Sequence, residues 1–191
     1  MNLVAAYGLL AQGLVFGALF TLLPLGPLRQ RAALVATATA LLAGIAPAMH
    51  GIFGAPSATL LQLAILQLAG RGSLLPDERP ALGLLAFAGL FYGAALGWGP
   101  VDPYALGYQP WPLLATLLPV AAALWWRRQE MALLILSVDL LAYAAGLFAN
   151  LWDALLDPLL VLLALFVVGR HGIRALLARK RAANVNAGST R

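Results

Sequence analysis

The sequence predicts an all-α fold, a polytopic transmembrane helix bundle, on the strength of three observations. Of its 191 residues, 62% are hydrophobic and only 10% are charged. Soluble domains, by contrast, average about 25% charged residues. The apolar residues fall into successive runs, several of them close to the length of about 20 residues that crosses a bilayer. The basic residues lie between these runs and after the last one, as in the cytoplasmic loops of membrane proteins.

Seven apolar runs follow one another along the chain, separated by short stretches of proline, glycine and charged residues. We expect spans at residues 3–25, 32–48, 57–70, 81–98, 111–126, 131–152 and 158–169. The third run is short, so a six-span bundle in which this run only dips into the membrane is the alternative. Residues 1–170 would form the bundle, and residues 171–191 a basic, partly disordered cytoplasmic arm.

The distribution of positive charge predicts the orientation. All 12 lysine and arginine residues fall on one side of the membrane if seven helices cross it. The positive-inside rule then puts the N-terminus outside and the C-terminus in the cytoplasm. Arginine greatly outnumbers lysine, and alanine and leucine are abundant, a composition typical of GC-rich bacteria. We therefore expect a multi-pass protein of the bacterial inner membrane.

The C-terminal arm combines a small apolar side with several positive charges. A short helix of this kind is typical of contact with an anionic lipid leaflet, which contributes about 1 kcal/mol per basic residue near the surface. The residues expected to contact lipid headgroups are Arg174, Arg179, Lys180 and Arg181.

Two sets of glycines recur at helical spacing. Gly89, Gly93 and Gly97 are four residues apart in the fourth run, and Gly13 and Gly17 repeat the spacing in the first. Such ridges let helices approach closely in lipid, where apolar side chains alone give little drive to associate. Dimerisation is one interpretation, and packing within the same chain is the one we favour.

A stripe of polar residues crosses the sixth run. Asp139, Tyr143, Asn150 and Asp153 are spaced so that a continuous helix would place them on one face. A central aspartate costs about 2.5–3.5 kcal/mol to insert, so Asp139 should face other helices and have partners there. The candidate partners are Tyr143, the threonines of the second run, Gln62, Gln67 and Tyr92. We favour a hydrogen-bonding role between helices; a proton or cation site is the alternative.

The outer loops carry the remaining polar candidates. His50, Asp102 and Asp157 form a possible outer-face cluster, although two histidines in the whole chain are few for a metal site, and we expect no metal or cofactor. Asp157 precedes Pro158, which is also the pattern of a helix N-cap followed by proline. The segment 98–112 is rich in proline and aromatic residues and should form a stiff lid.

No catalytic motif, cysteine or separate polar domain is present, so an enzyme is not favoured and no nucleic-acid partner is expected. The leading hypothesis is a non-enzymatic accessory, assembly or docking subunit of an envelope complex, whose partners are the bilayer and another membrane protein. The alternative is a transporter or channel for a small solute or ion that uses Asp139. A lipid-modifying enzyme would have only His50, Asp102 and Asp153 with which to build a site.

Overall fold

The computed structural model describes residues 3–73, 77–100 and 102–188, with the backbone alone at residues 175, 176 and 179–188. Across these ranges the protein is all-helical and no strand occurs. The helices are α1 (Leu3–Phe20), α2 (Arg29–Leu42), α3 (Ile45–Phe53), α4 (Ala58–Leu68), α5 (Glu78–Gly93), α6 (Pro110–Trp126), α7 (Glu130–Ala144), α8 (Leu151–Leu155) and α9 (Pro158–Gly188). Short 3-10 turns cover Gly26–Leu28 and Tyr104–Gly107, and a π-helical turn, Ala94–Trp98, extends α5.

Two helices in the described part of the chain are long and apolar enough to cross a membrane. They are α1 and the combined segment Glu78–Trp98. A third candidate arises if the segment Gly26–Leu42 and α3 count as one span, although this pair is bent by 77°. The structure therefore supports membrane association with two or three candidate spans, and the seven-span bundle remains a prediction.

The predicted spans are shortened by breaks that glycines permit. Gly44 has φ +79°, a left-handed conformation that separates α2 from α3. Gly146 has φ +75° and follows the end of α7 at Ala144, well before the predicted end of the sixth run. The 11 residues of α4 extend about 16 Å at 1.5 Å per residue, about half of a typical hydrocarbon core.

The core lies where α1, α4, α5 and α9 meet. Val15, Leu60, Phe91, Leu160 and Leu163 form its largest buried cluster. The first helix packs against α2, α3 and α4, while α5 packs along α9, and α4 also contacts α7 and α8. Although α4 is short, it therefore joins α1 on one side to α7 and α8 on the other.

The two glycine sets differ in what surrounds them. A Cβ at Gly17 would collide with the Thr37 side chain and lie 2.9 Å from the Ala33 carbonyl oxygen, so α1 and α2 need this glycine for their close approach. Gly13 meets α2 in the same way, with Leu41 Cδ2 2.7 Å from the Cβ position. These two glycines therefore lie at an interface between helices of one chain.

The second predicted ridge does not form. Gly89 has open space where a Cβ would lie, and Gly93 is buried against Trp98. Gly97 has φ +92° inside the π-helical turn, so the straight helical face that would align these glycines ends before it. The prediction of one smooth packing surface from Gly89 through Gly97 is wrong for this reason.

The final helix continues past the predicted end of the seventh span. No break separates the span from the basic arm, because α9 extends from Pro158 to Gly188. Arg174 is exposed, while the side chains of Arg179, Lys180 and Arg181 lie outside the described residues. The division of the chain at residue 170 stays a prediction.

Candidate functional site

Asp139 lies between α4 and α7 with 1% of its surface exposed. The Thr59 hydroxyl donates to its Oδ2 at 2.7 Å, and Gln62 Nε2 donates to its Oδ1 at 2.8 Å. Gln62 Nε2 also lies 3.2 Å from the carbonyl oxygen of Ile135 on α7. Both carboxylate oxygens therefore accept hydrogen bonds from α4, so that Asp139 links the two helices.

Of the expected partners, Gln62 contacts Asp139. Gln67 instead donates to Thr21 Oγ1 at 2.7 Å, near the basic end of the molecule, and the Tyr92 ring packs edge-on against Phe91. Thr59 was not among the sequence-based candidates. Its position three residues before Gln62 on one face of α4 is the signal that could have identified it.

The polar stripe is not one helical face, because α7 ends between Tyr143 and Asn150. The Leu147 amide donates to the Ala142 carbonyl oxygen and the Gly146 amide donates to Tyr143, the paired bonds that end a helix at a left-handed glycine. Asp139 thus lies on α7, whereas Asn150 caps α8. The prediction of a continuous stripe through Asp153 is wrong.

Asn150 and Asp153 instead fasten residues 102–109, the part of the predicted outer lid that is called the lid from here on. Asn150 Nδ2 donates to the Tyr104 carbonyl oxygen at 3.0 Å, and Trp152 Nε1 donates to the Pro103 carbonyl oxygen at 2.9 Å. The Tyr104 hydroxyl donates to the Asp153 carboxylate, 3.0 Å from Oδ1 and 3.2 Å from Oδ2. Three side-chain hydrogen bonds thereby hold the lid against α8.

The lid lies so close to α8 that residue 107 must be glycine. A Cβ there would collide with the Asn150 side chain and lie 2.8 Å from Trp152 Cδ1. Burial raises the pKa of Asp153, and the hydrogen bond from Tyr104 opposes that shift. Burial also raises the pKa of Tyr104, and its hydrogen bond to Asp153 adds to the increase.

Asp157 is buried and joins the start of α9 to the start of α4. Its Oδ1 accepts from the Leu160 amide at 2.8 Å, and its Oδ2 accepts from the Ser57 amide at 2.7 Å. Ser57 in turn caps α4 by accepting from the Leu60 amide. Asp157 therefore acts as the N-cap that its sequence position indicates, and it also ties two helices together.

The three residues of the predicted outer-face cluster each contact a different part of the protein. The His50 ring lies directly over Gly8 of α1, and the Asp102 carboxylate accepts from the Tyr104 amide at 2.9 Å. Both oxygens of Asp157 accept backbone amides, as described above. Among the described residues, no group of three histidine or acidic side chains is arranged to hold a metal ion.

Two cavities lie near opposite ends of the helices. The first, called the outer cavity after the side that the sequence predicts to be external, has a volume of about 450 Å³ and is lined by aromatic and acidic side chains that include Phe91, Tyr92, Tyr104, Trp152, Asp153 and Asp157. The basic cavity, of about 720 Å³, is lined by Arg29, Arg79, Arg170 and His171 together with Asp77 and Glu78. His171 Nδ1 lies 3.4 Å from the Glu78 carboxylate. The two ends therefore differ in charge.

The chain matches no protein-family model, no curated protein and no solved structure. The fold and the two cavities define a class: an all-helical protein with two or three candidate membrane-spanning helices.

Proposed function

We propose that the protein is a multi-pass protein of the bacterial inner membrane, with seven crossings, an external N-terminus and a cytoplasmic C-terminus. The support is that two helices, α5 and α9, lead from one cavity to the other in opposite directions. Arg79 at the start of α5 lines the basic cavity, and Tyr92 near its end lines the outer one. From Pro158 to Arg170, α9 returns in the opposite direction.

In this proposal α2 and α3 together make one broken crossing, and α4 and α7 make short ones. The start of α2, at Arg29, lines the basic cavity, and the end of α3, at Phe53, lines the outer one, so the broken pair leads from one end to the other. A short apolar segment can also be accommodated by local thinning of the bilayer. The short helices are then compatible with the seven crossings that the segregation of positive charge predicts.

For its role, we propose a non-enzymatic subunit that docks onto another envelope membrane protein through its outer surface. The observation that carries this proposal is the fastening of the lid to α8 by Asn150, Trp152 and Asp153. A surface held in one conformation loses little entropy on binding. Beside the lid, Trp98 and Trp111 are 86% and 79% exposed, and tryptophan is enriched among residues that dominate interface energies. Asp139 serves as a link within the bundle.

Site-specific photocrosslinking in intact cells tests this docking role. A photoreactive phenylalanine analogue placed at Trp98 or Trp111 should give a discrete adduct with one membrane protein. Trp126 is the matched control, because it is 87% exposed but is the last residue of α6, beside the basic Arg127. The analogue at Trp126 should give no such adduct.

Two results would contradict docking at the outer surface. One is the absence of any protein adduct from Trp98 and Trp111; the other is the same adduct from Trp126. Affinity purification in mild detergent complements the experiment. A protein that repeatedly emerges alone, with both tryptophans intact, also argues against a stable partner.

A transporter is the second candidate, favoured by the 77° break between α2 and α3. Discontinuous helices form the substrate sites of many secondary transporters. Asp139 would be the coupling residue, and Asp139→Asn should then abolish pH-dependent solute uptake in proteoliposomes while the fold is retained. Unchanged uptake in this variant would exclude the coupling role.

A further inference from the structure

The outer cavity is surrounded by aromatic rings that meet at steep angles. The Phe91 ring is 4.6 Å from Trp152 with planes 52° apart, and 5.3 Å from Tyr92 with planes 75° apart. Tyr104 lies 6.5 Å from Phe91 at 62°. Rings set at such angles surround the cavity on several sides, and aromatic rings grouped in this way are used to hold organic cations.

The rings are held in place before any ligand arrives. Trp152 Nε1 donates to the Pro103 carbonyl oxygen, and the Tyr104 hydroxyl donates to Asp153. Phe91 is buried. Because the rings need little reordering, less of the binding energy is lost to conformational entropy.

The charge of the cavity is negative. Asp153 and Asp157 line it, and none of the described side chains around it carries a positive charge. Both oxygens of Asp157 accept backbone amides, which leaves Asp153 as the carboxylate with capacity for a further contact. One such carboxylate is too few for Ca²⁺, which takes 6–8 oxygen ligands. An organic cation, in contrast, is attracted by both the carboxylate and the ring faces.

We propose that the outer cavity binds an organic ammonium group, of the kind carried by choline or by a zwitterionic lipid headgroup. Its volume of about 450 Å³ lies within the range of small-ligand pockets. The ammonium group lies over the faces of Tyr92 and Trp152, with Asp153 as its counter-ion. This proposal does not depend on the docking role, because it concerns the interior of the cavity and not the exposed tryptophans beside the lid.

Binding of radiolabelled choline to the full chain in phosphatidylglycerol nanodiscs tests the proposal, because this lipid has no ammonium group. The neutral analogue 3,3-dimethylbutan-1-ol has the shape of choline without its charge. It should compete at least about tenfold more weakly than unlabelled choline, because it lacks the attraction to Asp153 and the ring faces. Absence of choline binding at about 10 mM, where a 1 mM site would be mostly occupied, would overturn the proposal. Equal competition by the neutral analogue would do the same.

Four substitutions assign the contacts. Tyr92→Leu removes a ring face and should weaken choline binding about fivefold, whereas Tyr92→Phe keeps the face and should not. Asp153→Asn removes the charge but still accepts from Tyr104, and should weaken binding about tenfold. Asp102→Asn is the matched control, since Asp102 is an outer acidic residue that does not line the cavity. Equal affinities in Asp153→Asn and Asp102→Asn would refute the assignment.

Thermal melting of each variant checks its fold, and the comparison of choline with its neutral analogue on the unaltered protein remains decisive if Tyr92→Leu does not fold. Nanodiscs that contain phosphatidylcholine distinguish the two sources of the ammonium group. If that lipid lowers the apparent affinity for free choline, the proposal holds with the headgroup as occupant. If it leaves the affinity unchanged, the proposal holds with a free solute.

Discussion

Replacing Asp139 tests whether it is the link between α4 and α7. In Asp139→Ala both hydrogen bonds, from Thr59 and Gln62, are lost, and the two donors are half-buried. Hydrogen bonds between membrane helices are worth about 0.6 kcal/mol on average and about 1.7 kcal/mol at most. Two of them give a loss of about 1–3 kcal/mol in the free energy of unfolding. Two hydrogen bonds to a charged group in the core of a soluble protein would instead give a loss of about 3–6 kcal/mol in the free energy of unfolding.

The conservative variant sharpens the test. In Asp139→Asn the amide oxygen still accepts from Gln62, and the amide nitrogen can donate to the Thr59 hydroxyl. We therefore expect less than half of the loss seen with alanine. Ser137→Ala is the matched control on the same helix, because the exposed Ser137 hydroxyl bonds only its own helix at Leu133, and its removal should be nearly neutral.

Unfolding in detergent titrated with dodecyl sulfate, followed by circular dichroism, measures these differences. An Asp139→Ala protein as stable as the unaltered chain would refute the bridging role. An Asp139→Asn protein as unstable as Asp139→Ala would indicate instead that the negative charge itself is required.

The remaining predictions concern packing and pH. Gly17→Ala should lower the melting temperature, with a cost of about 1–3 kcal/mol, because its Cβ meets Thr37 and the backbone of α2. Gly89→Ala has open space and should be neutral or raise stability by about 0.5–1 kcal/mol through helix propensity; equal melting of the two variants would contradict the packing argument. Burial raises the pKa of Asp153 above its ordinary 3.8. At pH values between the ordinary pKa and the pKa in the folded protein, the folded state therefore binds more protons than the unfolded state. Stability should therefore fall as the pH rises through that interval and level off above it. Asp153→Asn should remove the part of this dependence that Asp153 contributes, and an unchanged profile would exclude Asp153 as a source of it.

Local sequence signals predicted the helices and their caps well. Asp157 before proline marks a helix start, and it acts as an N-cap because capping depends only on residues within one turn. The composition and the apolar runs predicted an all-helical protein with membrane-spanning segments. Each of these features is determined by a few neighbouring residues.

Helix breaks and long-range contacts were harder to predict from the sequence. Gly44 and Gly146 take positive φ values, but glycine is also common inside transmembrane helices, so its presence alone does not indicate a break. Thr59 meets Asp139 across 80 positions of sequence, and Tyr104 meets Asp153 across 49. Such pairings depend on how helices pack, which periodicity within one helix does not determine.

The central claim is that the helices cross a membrane between an acidic, aromatic outer end and a basic cytoplasmic end. The natural chain contains no cysteine, so single cysteines can be labelled without background. With a membrane-impermeant maleimide on intact cells, in which the outer membrane alone has been made permeable, Asp102→Cys should be labelled at once. Arg127→Cys should be labelled only after the inner membrane is opened. Labelling of Arg127→Cys while the inner membrane is intact would contradict the account.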